Sequence, residues 1–186
     1  MIIRTILAST AIAMTTGFAF AEAHAENPMV GGAEMFPDMN IVENAINSAD
    51  HTTLVAAVQA AGLAETLMGE GPYTVFAPTN AAFETLPEGA VEQLLMPENL
   101  EQLQTILLCH VVDANAMSDT IATMIADEDG NHPVETLGGC TLSAQMDGDN
   151  ITLTDENGTT ATVTTADVVQ SNGVIHVIDM VMTPAM

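Results

Sequence analysis

Two cysteines and a histidine stand closest to chemistry in this chain. Cys109 is followed directly by His110, and Cys140 comes a short span later. A thiol beside an imidazole could make a nucleophile–base pair. In an extended segment, however, neighbours point to opposite faces, and no Gly-x-Ser-x-Gly elbow offers a serine in its place. An even count of two cysteines in an oxidising compartment favours a disulfide between Cys109 and Cys140, with two buried thiols as the alternative. His176 belongs to an alternating run, VIHVID, and reads as a pleat residue.

Metal chemistry finds no fixed ligand pattern. In DEDGNH, Asp127–His132, the glycine comes fourth where a calcium loop needs it sixth, and no suitable Glu follows at the twelfth position. DGDN at 147–150 and DENG at 155–158 read as hairpin turns. Met29, Met35 and Met39 offer thioethers, which favour Cu(I), but no Cys or His interleaves them, and gap-filling in a core is the other reading. The expectation is therefore no catalytic residue, no metal and no cofactor.

Charge and leader narrow the setting. Residues 1–21 carry one Arg, an uncharged apolar run and the small-x-small site Ala19-Phe20-Ala21, with a second such site at Ala23-His24-Ala25. This is the pattern of a secretory signal peptide, and the run is short for a retained span. Export to the periplasm or the extracellular space, without stable membrane insertion, is expected. Arg4 is the only basic residue, set against 25 Asp and Glu. Nucleic acid and anionic membrane surfaces need a basic footprint, which the mature chain does not offer. An acidic coat suited to salty surroundings is the plain reading. Added salt should relieve its self-repulsion, and mild acid should do the same.

The elements that must position these residues can be placed coarsely. At 186 residues the prior is one domain with a core of its own. Residues 22–39 contain Pro, Gly and Met with little periodicity, and read as an extended arm packed partly on the domain. Ile41, Val42, Ala45 and Ile46 recur at helical spacing, and Thr52 or Thr53 caps a second helix through Ala61, closed by Gly62. YTVFAPTNAAF, 73–83, reads as a strand, a corner at Pro78 and a helix capped by Thr79 or Asn80. A helix over 87–96 follows, and then one opening at Pro97 that runs into a strand at Cys109–Val112. From Thr136 the pattern is β, with turns at 147–150, 155–158 and 171–173. Short helices ahead of a run of strands indicate an α+β domain.

YTVFAPTNAAF closely resembles the first signature of fasciclin-like domains, NGVIHVIDMVMTP at 172–184 the second, and ILLCHVV at 106–112 the segment carrying the family's central histidine. The resemblance covers residues 40–184. It implies a fasciclin-like α+β fold, a twisted β wedge or sandwich packed with several short helices. It also implies a structural role for His110, which would hold the joint by hydrogen bonds. Cys109 stands where an aromatic residue, often Tyr, commonly precedes the histidine, a departure that Cys140 opposite it would explain. In animal members an Asp-Ile pair just before the second signature has been assigned to integrin recognition, and Asp167-Val168 occupies that place here. The implied function is a non-enzymatic exported adhesion or interaction module with an extracellular protein or polysaccharide as partner. The alternative is a periplasmic small-ligand-binding or stress protein with a pocket between helices and sheet.

Overall fold

The computed structural model describes residues 27–185; the expected signal peptide at 1–21 lies outside them. The lead into the domain is a hairpin rather than an extended arm. β1 (Met29–Val30) and β2 (Ala33–Glu34) pair across Gly31 and Gly32, whose φ values of 59° and 76° glycine adopts freely. The hairpin buries Val30 and Met35 in the main core while Met29 stays 62% exposed, so these thioethers do not share one environment.

Three helices follow. Asn40 caps α1 (Ile41–Asn47) in a full capping box with Glu43. α2 (Thr52–Ala60) is reached through a single 3-10 turn, and α3 (Ala64–Leu67) follows Gly62 at φ 70°. The chain then enters β3 (Tyr73–Pro78), turns into α4 (Asn80–Glu84) and runs through α5 (Ala90–Leu94) to α6 (Leu100–Leu108). β4 (Val111–Val112) and α7 (Ser118–Asp127) lead into the strands β5 (His132–Glu135), β6 (Thr141–Asp147), β7 (Asn150–Thr154), β8 (Thr160–Gln170) and β9 (Gly173–Ile178).

Seven of these strands form one sheet in the order β4-β3-β9-β8-β7-β6-β5. Only β3 and β9, the two signature strands, pair in parallel, from Tyr73 opposite Gly173 to Pro78 opposite Ile178. Both are covered on both faces, as parallel strands in a sheet usually are. On one face Val75, Ala77, Ile175 and Val177 pack with α1, α2 and α6. On the other, Phe76 and Ile178 pack with Ile121 and Ile125 of α7 and with the inward residues of β6–β8. This is the α+β wedge that the resemblance implied. Pleat alternation here separates two cores instead of core from water, so His176 is fully buried.

The corner after β3 resolves the choice between its two capping residues. The Thr79 side chain accepts the Ala82 N–H and caps α4. Asn80 turns outward to another helix: its Oδ1 accepts the Thr53 N–H at 3.0 Å and its Nδ2 donates to the Ala49 carbonyl at 2.9 Å. One dipeptide thereby ends the central strand, starts α4 and anchors the entry to α2.

Candidate functional site

The joint between the two signatures is assembled by His110. α6 ends at Cys109, the His110 N–H donates to the Leu107 carbonyl, and the His110 carbonyl accepts the Phe76 N–H at 2.8 Å. Cys109 and His110 therefore form the last turn of the helix, and the strand expected from Cys109 is only Val111–Val112. The imidazole enforces this geometry. Its Nδ1–H donates back to the Ile106 carbonyl at 2.8 Å, while Nε2 accepts the Met182 N–H at 3.0 Å. Those two partners set a single neutral tautomer. Burial lowers the pKa to about 4, against the opposing pulls of the Ile106 carbonyl and the Asp155 charge.

His176 makes a second brace. It lies opposite Phe76 in the parallel register, with the two rings stacked at 5.7 Å between centroids. Its Nε2–H donates to the Ala116 carbonyl at 2.8 Å and Nδ1 accepts the Asp167 N–H at 3.3 Å. Burial lowers its pKa as well. His51, which no sequence pattern marked, is the third buried histidine. Its Nδ1 lies 2.8 Å from Ser48 Oγ, and burial again lowers its pKa. Its position between a 3-10 turn and α2 leaves no periodic signal by which it could have been found.

Cys109 and Cys140 are joined in a disulfide with Cα atoms 5.4 Å apart. The loop before Cys140 lies directly on the end of α6: the Gly138 N–H donates to the Leu108 carbonyl at 3.0 Å. A Cβ on Gly138 would come within 2.6 Å of both the Cys109 nitrogen and the Thr105 carbonyl oxygen, so the approach needs glycine there.

The Asp167-Val168 pair occupies an irregular stretch of β8, where the register with β9 shifts. Asp167 has φ 59°, and its carboxylate accepts the Ser118 N–H at 2.7 Å and the Ser118 hydroxyl, tying β8 to the start of α7. Val168 is fully buried in the main core, so of this pair only Asp167 reaches the surface, and that in part. The DENG turn is held by its own first residue. Asp155 Oδ1 accepts the Asn157 and Thr159 N–H groups, and Oδ2 accepts the Thr183 N–H at 2.9 Å, fastening the C-terminal segment. Gly148 at φ 62° turns the DGDN hairpin.

One residue of the second signature does more than its strand position indicates. Asn172 Oδ1 accepts the Ile41 N–H at 3.1 Å, and its Nδ2 donates to the Leu67 and Gly69 carbonyls. One side chain thus satisfies the start of α1 and the end of α3 from the turn that opens β9.

The fold and these braces define an α+β wedge domain, and comparison with known proteins places it. The fasciclin domain model matches residues 49–184, and the chain belongs to that family. Protein sll1483 of Synechocystis is 43% identical over 98% of this chain and 94% of its own length. The transforming growth factor-beta-induced protein ig-h3 of Sus scrofa is 40% identical over 70% of this chain, which spans only 17% of that larger protein. The cell surface glycolipoprotein MPB83 of Mycobacterium bovis is 32% identical over 91% of this chain and 66% of its own. Among solved structures, a FAS1 domain pair from the insect cell adhesion molecule fasciclin I aligns with a TM-score of 0.55 and 23% identity. That alignment covers 68% of this chain and 42% of the pair, a likeness of fold alone. Among the described residues no helix is long and apolar enough to cross a membrane.

Proposed function

We propose that this protein is an exported, non-enzymatic adhesion or interaction module whose partner is an extracellular protein or polysaccharide. The observation that carries this reading is the commitment of both His110 ring nitrogens to backbone groups, one a helical turn back at Ile106 and one in the distant segment at Met182. The residue a catalytic mechanism would use as its base is consumed in closing the fold, and its neighbour Cys109 is tied up as a disulfide. The family setting supports the rest, because one of the similar proteins is described as a cell surface glycolipoprotein. The excess of acidic side chains favours a neutral or basic partner surface over an anionic one. Asp167 is carried into this reading as the accessible member of its pair, on β8 and in contact with the start of α7.

The test is a pull-down of the immobilised mature domain against the extracellular fraction of the producing cells. Enrichment of a defined protein or polysaccharide supports the proposal. Recovery of a small molecule, with no macromolecule above control, contradicts it in favour of a carrier.

A further inference from the structure

A cleft of about 240 Å³ opens between α4, α5, α6 and the segment after β9. Its wall is apolar, with Phe83, Leu86, Leu94, Ile106 and Val181, and its rim is amide-bearing at Gln93 and Asn99. An apolar cavity of about 150 Å³ is enough to hold benzene, so this one admits a larger apolar body. The roof is α5, which was expected as a helix over 87–96 but runs only from Ala90 to Leu94. It starts at Gly89 with φ 79° and contributes no buried residue to the core. Its Leu94 packs only in part against the core, which leaves the space beneath the helix open.

A second depression of about 330 Å³ adjoins the first, and Phe83 and Leu86 line both. Its other lining residues include Glu84, Glu88 and Glu92, all exposed. The pair of cavities thus offers an apolar slot and, past the boundary residues Phe83 and Leu86, a depression lined by three carboxylates. A ligand with an apolar body and a cationic end complements both at once. A fatty acid does not, because no Lys or Arg follows Arg4 anywhere in the chain and its carboxylate would meet only like charge. A neutral alcohol fills the slot but gains nothing from the depression.

We infer that this double cleft binds a small organic amine, with its alkyl or aryl body under α5 and its ammonium group over Glu84, Glu88 and Glu92. A boundary residue with an aromatic ring, Phe83, suits an ammonium at that point. The inference goes beyond the adhesion reading and does not depend on it.

The probes are octylammonium chloride, sodium octanoate and butylammonium chloride, titrated into the isotope-labelled mature domain and followed by amide chemical shifts. Octylammonium is expected to shift amides of α4, α5 and α6 saturably, butylammonium to bind more weakly, and octanoate not to bind. The surface variant E84Q/E88Q/E92Q is expected to weaken octylammonium roughly tenfold, since three exposed charge contacts each contribute modestly. Ala90→Leu, which puts bulk into the slot, is expected to abolish binding. Thermal melts check that each variant is folded, and if Ala90→Leu is not, the glutamine variant alone decides. Octanoate binding as tightly as octylammonium would overturn the inference. So would butylammonium equal to octylammonium, shifts scattered over the surface, or no saturation up to the solubility limit.

Discussion

His110 Nε2 accepts the backbone N–H of Met182 at 3.0 Å, joining the end of α6 to the segment beyond β9 across 72 residues of sequence. The same ring donates to Ile106 one helical turn back, so one imidazole fixes both the helix end and the return of the chain. Replacing His110 with Ala leaves the Met182 N–H and the Ile106 carbonyl without their partner in a buried site. A loss of about 1–3 kcal/mol is expected in urea unfolding, with an unchanged slope. A variant that unfolds like its parent would show that the ring does not hold the joint.

The buried histidines also set a pH dependence. The His110 pKa falls from its ordinary value of 6.5 to about 4 in the folded protein, and those of His51 and His176 are lowered too. Below pH 6.5 the unfolded chain binds more protons than the folded one. Stability is therefore complete above that pH and declines as pH falls through the window down to about 4. The loss from His110 alone is on the order of 3 kcal/mol. This opposes the expectation from charge repulsion that mild acid stabilises. Melting temperatures between pH 7 and 4 check the sign, and a rise on acidification would mean that the acidic coat outweighs the histidines.

Much of this core was legible in the sequence, for physical reasons that can be named. Pro78 cannot continue a ladder and Thr79 is a good cap, so the corner after β3 was visible locally. The dual use of Thr79 and Asn80 was not, because the partner of Asn80 lies on α2. The span between His110 and Thr136 carried little signal. α7 buries only Ile121 and Ile125, and β5 is an edge strand containing Pro133 with alternate residues exposed. The brace made by Asp167 was not legible, since nothing local announces a left-handed residue whose carboxylate serves a helix elsewhere.

Asp167→Ala removes two acceptors from Ser118 and puts a Cβ-bearing residue without a polar side chain at φ 59°. A cost of about 1–2 kcal/mol is expected, and Asp167→Gly should recover the backbone share of it. Denaturant midpoints of the two variants settle the point. If both match the parent while partner binding is lost, Asp167 is a recognition residue and not a fold brace.

The disulfide closes a loop with a sequence separation of 31 residues. Replacing both cysteines by Ala is expected to cost about 3–4 kcal/mol from chain entropy. Thiol titration of the denatured, unreduced exported protein should find no free thiol; two would rule the bridge out.

Salt separates self-repulsion from packing. All 25 Asp and Glu follow Arg4 and no Lys or Arg does, so the chain beyond Arg4 has no ion pairs of those residues within itself for salt to weaken. Sodium chloride between about 0.01 and 1 M shortens the Debye length from about 30 to 3 Å, and the melting temperature is expected to rise throughout. A flat or falling midpoint would leave the acidic coat as a solubility device.

Recognition of an extracellular partner by the folded domain is measured directly by its binding to intact producing cells. Fluorescently labelled mature domain is titrated onto washed cells, with unlabelled domain as competitor and the acid-unfolded chain as control. The expected result is saturable binding that the folded competitor displaces, that the unfolded chain does not reproduce, and that protease or glycosidase treatment of the cells removes. Binding that rises linearly without saturation, or that the unfolded chain matches, would contradict it.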